Sequence, residues 1–499
     1  MKKKTILFTL MFALALQLTF AENAKRPNII WLMAEDISLD LECYGMPAVK
    51  TPNLNSLAQR GMMFKNCFVT SPICSPSRSA MMTGTYQVKI NAHNHRSNRD
   101  VALPEPYKPF TYWLRKAGYT CILGNSDVMG KGRKIDCNFK TQALGEWDGK
   151  TNFGLFDKYD EFLPEDQPFF AQIQLLATHR GDWWSEVRAK SEHPVDPQKV
   201  VLPPQYADNP AIRLDWAKYL DQIEYIDNEV GMIEKDLEQK GMADNTIIIF
   251  IGDNGRCNIL GKGYLHDPGL RIPLIIYQPK DATVFKNKQI INDVISSTDI
   301  TATILDIAGC KIPDYMTGES FLNKNFDRKE SYGARDLWDE IAEKSRSVYT
   351  ERWAYIRNDK PEIPYDAHQT YLEFYRPAVH VMRTLNKEDE LNEDQKFFFA
   401  PSKPKEELYD LQNDPYQLNN LASDAKYAEV LKELRDKTVS HDKKMMPVSD
   451  IYHPQHPVSV DVFQFVKENY PEAYKQMREG VEIGFSKYVT LYKEQLKKK

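Results

Sequence analysis

The chain is short of cysteine, and what it has is scattered. Seven cysteines (Cys43, Cys67, Cys74, Cys121, Cys137, Cys257 and Cys310) are spread over 499 residues with no C-x-x-C pair. That pattern excludes a zinc ribbon and a dense disulfide framework, and the odd count leaves at least one cysteine over. An excess of positive charge is also missing. The 65 Lys and Arg stand against 70 Asp and Glu, a net charge of −5. A broad nucleic-acid footprint needs a basic face, so no nucleic-acid partner is expected. Beyond the first twenty residues no apolar run is long enough to span a bilayer, so no transmembrane span is expected. Internal repeats and low-complexity linkers are absent. With 42% hydrophobic, 27% charged and 11% aromatic residues, the composition is ordinary globular usage. A chain of this length can bury a sizeable core without metal or disulfide staples.

What is present starts with a leader. Lys2, Lys3 and Lys4 precede the apolar run Thr5–Phe20, and Ala21 ends a small-residue cleavage site. This predicts a signal peptide over residues 1–21 and an exported protein, periplasmic or secreted. Strand and helix patterns then alternate, which signals an α/β sheet. Strands are predicted at Asn28–Met33, Tyr119–Leu123, Phe169–Leu176, Thr246–Ile251 and Ile272–Tyr277. Thr51 and Pro52 open a helix that Gly61 closes, with Thr51 as N-cap. A long helix lies between Ile212 and Gly241. Its Trp216, Tyr219, Ile223, Ile226, Val230, Ile233 and Leu237 recur every three or four residues and form one buried face. Beyond about Gly318 charged and aromatic residues dominate. The chain therefore divides into a catalytic α/β domain (22–319), a smaller α+β unit (320–445) and a helical C-terminal extension (446–499) whose terminal lysines form a solvated end.

Three predicted strands are followed by chemistry-bearing residues: Glu35 and Asp36, Asp253 and Asn254, and His179. In open α/β sheets ligands bind outside the carboxyl ends of strands. Two acids from one strand end, with an acid and an amide from another, suit a hard divalent cation such as Ca²⁺ or Mg²⁺. Asp-Asn-Gly after a strand is also a common turn. Cys74 precedes a predicted helix start, where backbone N–H groups favour an anion, and Arg78 lies four residues on. The stretch Ser71-Pro72-Ile73-Cys74-Ser75-Pro76-Ser77-Arg78, closed by Thr83-Gly84, resembles the signature of the formylglycine-dependent sulfatases. The resemblance runs over about residues 27–425, from PNIIWLMAEDIS to ELYDLQNDPYQLNNLA. The CSPSR core and that closing segment are similar to the branch containing heparan N-sulfatase (sulfamidase).

The resemblance implies an alkaline-phosphatase-like mixed sheet flanked by helices, and a sulfatase acting on a sulfated carbohydrate, through O-linked or N-linked sulfate. It implies that a formylglycine-generating maturation enzyme oxidises Cys74. The hydrated aldehyde then attacks sulfur with one hydroxyl and expels sulfate with the other. Glu35, Asp36, Asp253 and Asn254 match the ligands of a cation, Ca²⁺ or alternatively Mg²⁺. Arg78 matches the residue that holds formylglycine. Lys262 and His179 match residues that contact sulfate and the leaving oxygen. Two departures stand out. Glu35 replaces the first of two aspartates. Where the family carries Lys-x-His, this chain reads Lys134-Ile135-Asp136, with Lys131 the rival to Lys134. The base that releases sulfate is then Asp136, or else His93 or His95, which could equally form a substrate-binding loop. Two alternatives accompany this reading: a phosphonate or phosphate monoester hydrolase, and a non-catalytic carbohydrate-binding protein on the same scaffold.

Overall fold

Apolar, largely β-branched runs build a central sheet of seven strands. In chain order these are β1 (Asn28–Ala34), β2 (Met62–Phe68), β3 (Thr120–Gly124), β4 (Phe169–Leu175), β5 (Thr246–Gly252), β6 (Arg271–Tyr277) and β7 (Ile290–Ser296). The computed structural model describes residues 26–124, 134–141, 154–280, 284–285 and 290–498. The expected leader, residues 1–21, and Lys131 lie outside them. The spatial order is β3-β4-β1-β5-β6-β2-β7. β1 is parallel to β4 and β5, β3 to β4, and β2 to β7; β6 is antiparallel to both β5 and β2. The result is the mixed sheet flanked by helices that the resemblance implies. All five predicted strands form, with ends moved by a residue or so. β2 and β7 were not foreseen.

Central strands are covered on both faces, so both sets of alternate side chains must be apolar. In β1, Ile30, Leu32 and Ala34 face a core shared with the helix Pro210–Gln239. Ile29, Trp31 and Met33 face the opposite core, shared with Ile300 and Ile304 of the helix Ser297–Ile307. Each such side chain contributes about 1.5–3 kcal/mol when fully buried. The seven predicted core positions of the long helix are all buried. Its N-terminus is capped by Asn209, whose side chain accepts the Ala211 N–H at 2.9 Å.

One capping expectation is corrected. Thr51 sits at the N-cap of Pro52–Arg60 but makes no side-chain cap. Its hydroxyl accepts the Glu42 N–H and donates to Asn55 Oδ1 instead. The cap comes from Asp227 of the long helix, whose carboxylate accepts the N–H groups of Asn53 (3.2 Å) and Leu54 (2.8 Å).

A second, antiparallel sheet has the order β11-β10-β9-β8, from β8 (Ser331–Trp338), β9 (Ile341–Tyr349), β10 (Trp353–Asn358) and β11 (Glu406–Asp410). Leu431 and Leu434 of the helix Ala428–Lys444 pack on its Val348, Tyr355 and Leu408. The C-terminal helices Val458–Asn469, Pro471–Arg478 and Phe485–Lys498 also pack, setting Val462, Val466, Met477 and Tyr488 against Phe374 and Tyr375. Lys497 and Lys498 remain exposed. All seven cysteines are free. No helix among the described residues is long and apolar enough to cross a membrane.

Candidate active site

Because β4, β1 and β5 are adjacent and parallel, their carboxyl ends lie side by side. β2 runs in the same sense, through two antiparallel steps across β6. The helix Cys74–Thr83, which follows β2, therefore starts at the same edge. Cys74 is its first residue, one position further in than the sequence suggested, and is buried. The neighbouring hydroxyls anchor the helix. Ser77 Oγ donates to Asp253 O at 2.6 Å, Ser75 Oγ accepts the Arg96 N–H at 3.1 Å, and Ser79 Oγ accepts the Asn138 N–H at 2.7 Å. Burial pushes the Cys74 thiol up to about 12, with Asp136 adding to the rise against Lys262 and Lys134.

Arg78, one turn on from Cys74, joins both strand ends. Its Nε donates to Asp253 Oδ2 at 2.9 Å and its Nη2 to Glu35 Oε1 at 3.1 Å. Lys134 Nζ takes the other Glu35 oxygen at 2.6 Å, and Lys262 Nζ donates to Asp36 Oδ1 at 2.6 Å. Asp36 adopts left-handed backbone (φ 45°), with its N–H on Asp253 Oδ1 at 3.0 Å. Burial disfavours the charged form of Asp36, but Lys262 and His179 outweigh it and hold the carboxyl at about 2. Glu35 responds oppositely: its burial exceeds the help from Lys134 and Arg78, and its pKa rises. His179 Nε2 lies 3.7 Å from Glu35 Oε2, and its ring stacks on Trp183 with centroids 6.2 Å apart. Burial, then the charges of Lys262 and Lys134, hold His179 well below its ordinary value, so the ring is neutral at pH 7. Two glycines make this packing feasible. A Cβ on Gly255 would fall 1.9 Å from Pro268 O, and one on Gly263 (φ +92°) would fall 1.8 Å from the Trp338 ring.

The donor set suits a hard cation. Glu35, Asp36, Asp253 and Asn254 are all buried and offer only oxygen. Asp36 Oδ2 and Asn254 Oδ1 are buried with no hydrogen-bond partner among the described residues, although Asn254 Nδ2 donates to Asp36 Oδ1 at 2.9 Å. Buried oxygens left in this state are costly unless something satisfies them. Glu35 differs, since Arg78 and Lys134 already occupy both its oxygens.

The opposite wall is made of loops. Cys74 Sγ lies 3.8 Å from His95 Nε2, and His95 Nδ1 lies 2.7 Å from Asp339 Oδ1. The second Asp339 oxygen accepts from Gln369 Nε2 at 2.6 Å. Burial lowers the His95 pKa below 6.5, and Asp339 opposes the fall. Asp136 is paired with Arg99 and lies 3.6 Å from Lys134 Nζ. Burial works against its charge, but Lys134, Arg96 and Arg99 hold its carboxyl well below the usual range. His93 turns elsewhere, its Nε2 lying 3.5 Å from Asp336. The structure thus brings Cys74, Arg78, Lys134, Asp136, His179, Lys262 and His95 together around the strand-end oxygens and leaves His93 aside. Sequence reasoning missed Asp339, Gln369, Arg99 and Trp183. Only the nearness of Arg99 to the His93–Arg96 cluster offered a signal.

This fold and edge of the sheet define a class. The Sulfatase family model matches residues 27–310, more than half of the chain, and the chain belongs to that family. It is 31% identical over 477 residues to an ulvan-active sulfatase of Formosa agariphila, covering 86% of this chain and 77% of the relative. It is 25% identical over 472 residues to human N-sulphoglucosamine sulphohydrolase, covering 83% and 89% of the two chains. Among solved structures, a 2-O GAG sulfatase superimposes with a TM-score of 0.59 at 17% identity, covering 84% of this chain and 93% of that one.

Proposed function

We propose that this protein is an exported carbohydrate sulfatase, acting on O- or N-linked sulfate of a sulfated glycan, with Cys74 as the precursor of formylglycine. The observation that carries this is the convergence on the buried Cys74 of three cations and the oxygen-rich strand ends. A thiol held at about 12 is protonated at neutral pH and a poor nucleophile in its own right, which supports a role after modification. Export rests on the leader sequence, and maturation on a formylglycine-generating enzyme.

Asp36, Asp253 and Asn254, with Glu35 if Arg78 or Lys134 releases it, would hold Ca²⁺ or Mg²⁺. The hydrated aldehyde would supply the nucleophile, and a bound cation would lower its pKa and offset sulfate charge. The chain's own side chains do the rest. Arg78 keeps Asp253 and Glu35 in register beside residue 74. Lys262 and Lys134, both cationic, bind the sulfate oxygens, and Lys262 with His179 faces the leaving oxygen. Of the two candidate bases, His95 is the better placed. It is neutral, its Nε2 faces the residue 74 side chain, and Asp339 fixes Nδ1 as the protonated nitrogen. Asp136, locked between Arg99 and Lys134, is held as a carboxylate of very low basicity.

The test is sulfate release by ion chromatography from defined O- and N-sulfated mono- and disaccharides, using protein co-expressed with a maturation enzyme. Release from at least one is expected. Hydrolysis of phosphate or phosphonate monoesters with no sulfate released would overturn the reading, as would saccharide binding without turnover.

A further inference from the structure

Among the described residues, one cation at the mouth of this site is left without a hydrogen bond or ion pair of its guanidinium. Arg78, Arg99 and Arg376 donate respectively to Glu35 and Asp253, to Asp136, and to Lys262 O. The guanidinium of Arg96 makes no hydrogen bond or ion pair among the described residues. It is exposed, yet its charge is within reach of Asp136, Cys74 and Asp339. Both oxygens of Asp339 are already taken, by His95 and Gln369.

The loop that presents Arg96 is built to hold it there. Arg96 itself adopts left-handed backbone (φ 49°), a conformation an arginine reaches only against its own preference. That turn sends His95 inward to Cys74 while Arg96 points out. The Arg96 N–H is fixed on Ser75 Oγ, and His95 N–H on Leu337 O at 3.1 Å. Asn138 Nδ2 donates to the carbonyls of Ala92 (2.9 Å) and Asn94 (2.7 Å). A long side chain on so fixed a backbone loses less freedom on binding than one on a loose loop. The reacting sulfate already has Lys134 and Lys262 within the pocket, so a further unpaired fork outside it suits another anion.

We propose that Arg96 is a specificity-determining residue that binds a second anionic group of the substrate, a carboxylate or a non-reacting sulfate, on the sulfated sugar or its neighbour. This rests on the sulfatase reading above and narrows the substrate to glycans carrying two anions close together.

The experiment compares wild type, Arg96→Gln and Arg96→Lys on two pairs of probes. One pair is uronate-containing sulfated oligosaccharides, from heparan sulfate and from ulvan, native or with the carboxyls reduced to alcohols. The other is glucosamine 2-N,6-O-disulfate against glucosamine 6-O-sulfate. Wild type is expected to favour the doubly anionic member of one pair by about tenfold or more in kcat/KM, mostly through KM. The pair affected tells carboxylate from sulfate. Arg96→Gln should erase that preference while changing the singly anionic probe less than about twofold, and Arg96→Lys should keep part of it. Circular dichroism checks that the variants are folded. Equal loss of kcat on both members would make Arg96 a ligand of the reacting sulfate and overturn the proposal. An unchanged preference in Arg96→Gln, or none in wild type, would also overturn it. Should wild type release sulfate from no substrate at all, the sulfatase reading falls first.

Discussion

On one side of Cys74, the oxygens come from two sheet neighbours, each as an adjacent pair: Glu35 and Asp36 after β1, Asp253 and Asn254 after β5. On the other side, His95, Asp136, Asp339 and Gln369 come from four separate loops. The strand-end wall is nearly closed electrostatically, with Arg78, Lys134 and Lys262 against three carboxylates. The loop wall holds a neutral histidine, His95, and an arginine, Arg96, whose guanidinium makes no hydrogen bond or ion pair among the described residues. A rigid sheet edge fits a fixed, charged centre, whereas loops let neighbouring residues turn in opposite directions, as His95 and Arg96 do. On the proposed reading, the fixed charged centre sits on the first wall, and the base for sulfate release and the contact to a second anion sit on the second.

If that division is right, damage to the strand-end wall is the most severe. Asp253→Ala removes the partner of Arg78 Nε and the acceptor of the Asp36 N–H. Sulfate release should fall by about 10⁴-fold or more, a barrier increase of roughly 5.5 kcal/mol. Elemental analysis should show bound Ca²⁺ or Mg²⁺ lost in parallel. Substantial activity with the cation gone would break the comparison.

Next in size is His95→Ala, with a loss of about 10²–10³ in kcat and little change in KM. Rapid mixing should show a burst of sugar product followed by slow turnover. A loss in KM alone would move His95 from proton transfer to binding.

Asp339→Asn should cost about tenfold at neutral pH and leave a signature in the pH profile. His95 must be neutral to accept a proton, so activity falls as pH drops through its pKa. Burial sets that pKa below 6.5 and Asp339 raises it. The acid limb should therefore lie below pH 6.5, and loss of the Asp339 charge should shift it further down. An upward shift would contradict the pairing. The smallest effect is expected from Asp136→Asn, under about threefold in kcat. A loss larger than that of His95→Ala would exchange the two roles.

The same contrast explains what could be read from sequence. β1 and β5 are apolar on both faces and end in adjacent polar pairs, so strand and site residues are written together. The long helix was legible because its seven core positions keep one period. β7 was not, since Ile290, Asn292 and Asp293 are exposed on an edge strand. β8 and β9 looked irregular because they carry buried ion pairs such as Arg335 with Glu343 at 2.6 Å. Asp339 is a turn residue 244 positions from His95, and Asp227 caps a helix 173 positions away. Neither carries a local pattern, because only the folded chain brings the partners together. The missing Lys-x-His was visible as an absence, but the proposed replacement, His95, stands beside Cys74 only once the loops are folded.

The most direct test of the account is the chemical state of residue 74. Protein co-expressed with a maturation enzyme should be digested, and the peptide spanning Cys74 analysed by mass spectrometry beside sulfatase assays of the same preparations. The account predicts an aldehyde or its hydrate in place of the thiol, with activity proportional to the fraction converted. Cys74→Ala should be inactive but folded. Full turnover by protein whose Cys74 thiol is intact would contradict it.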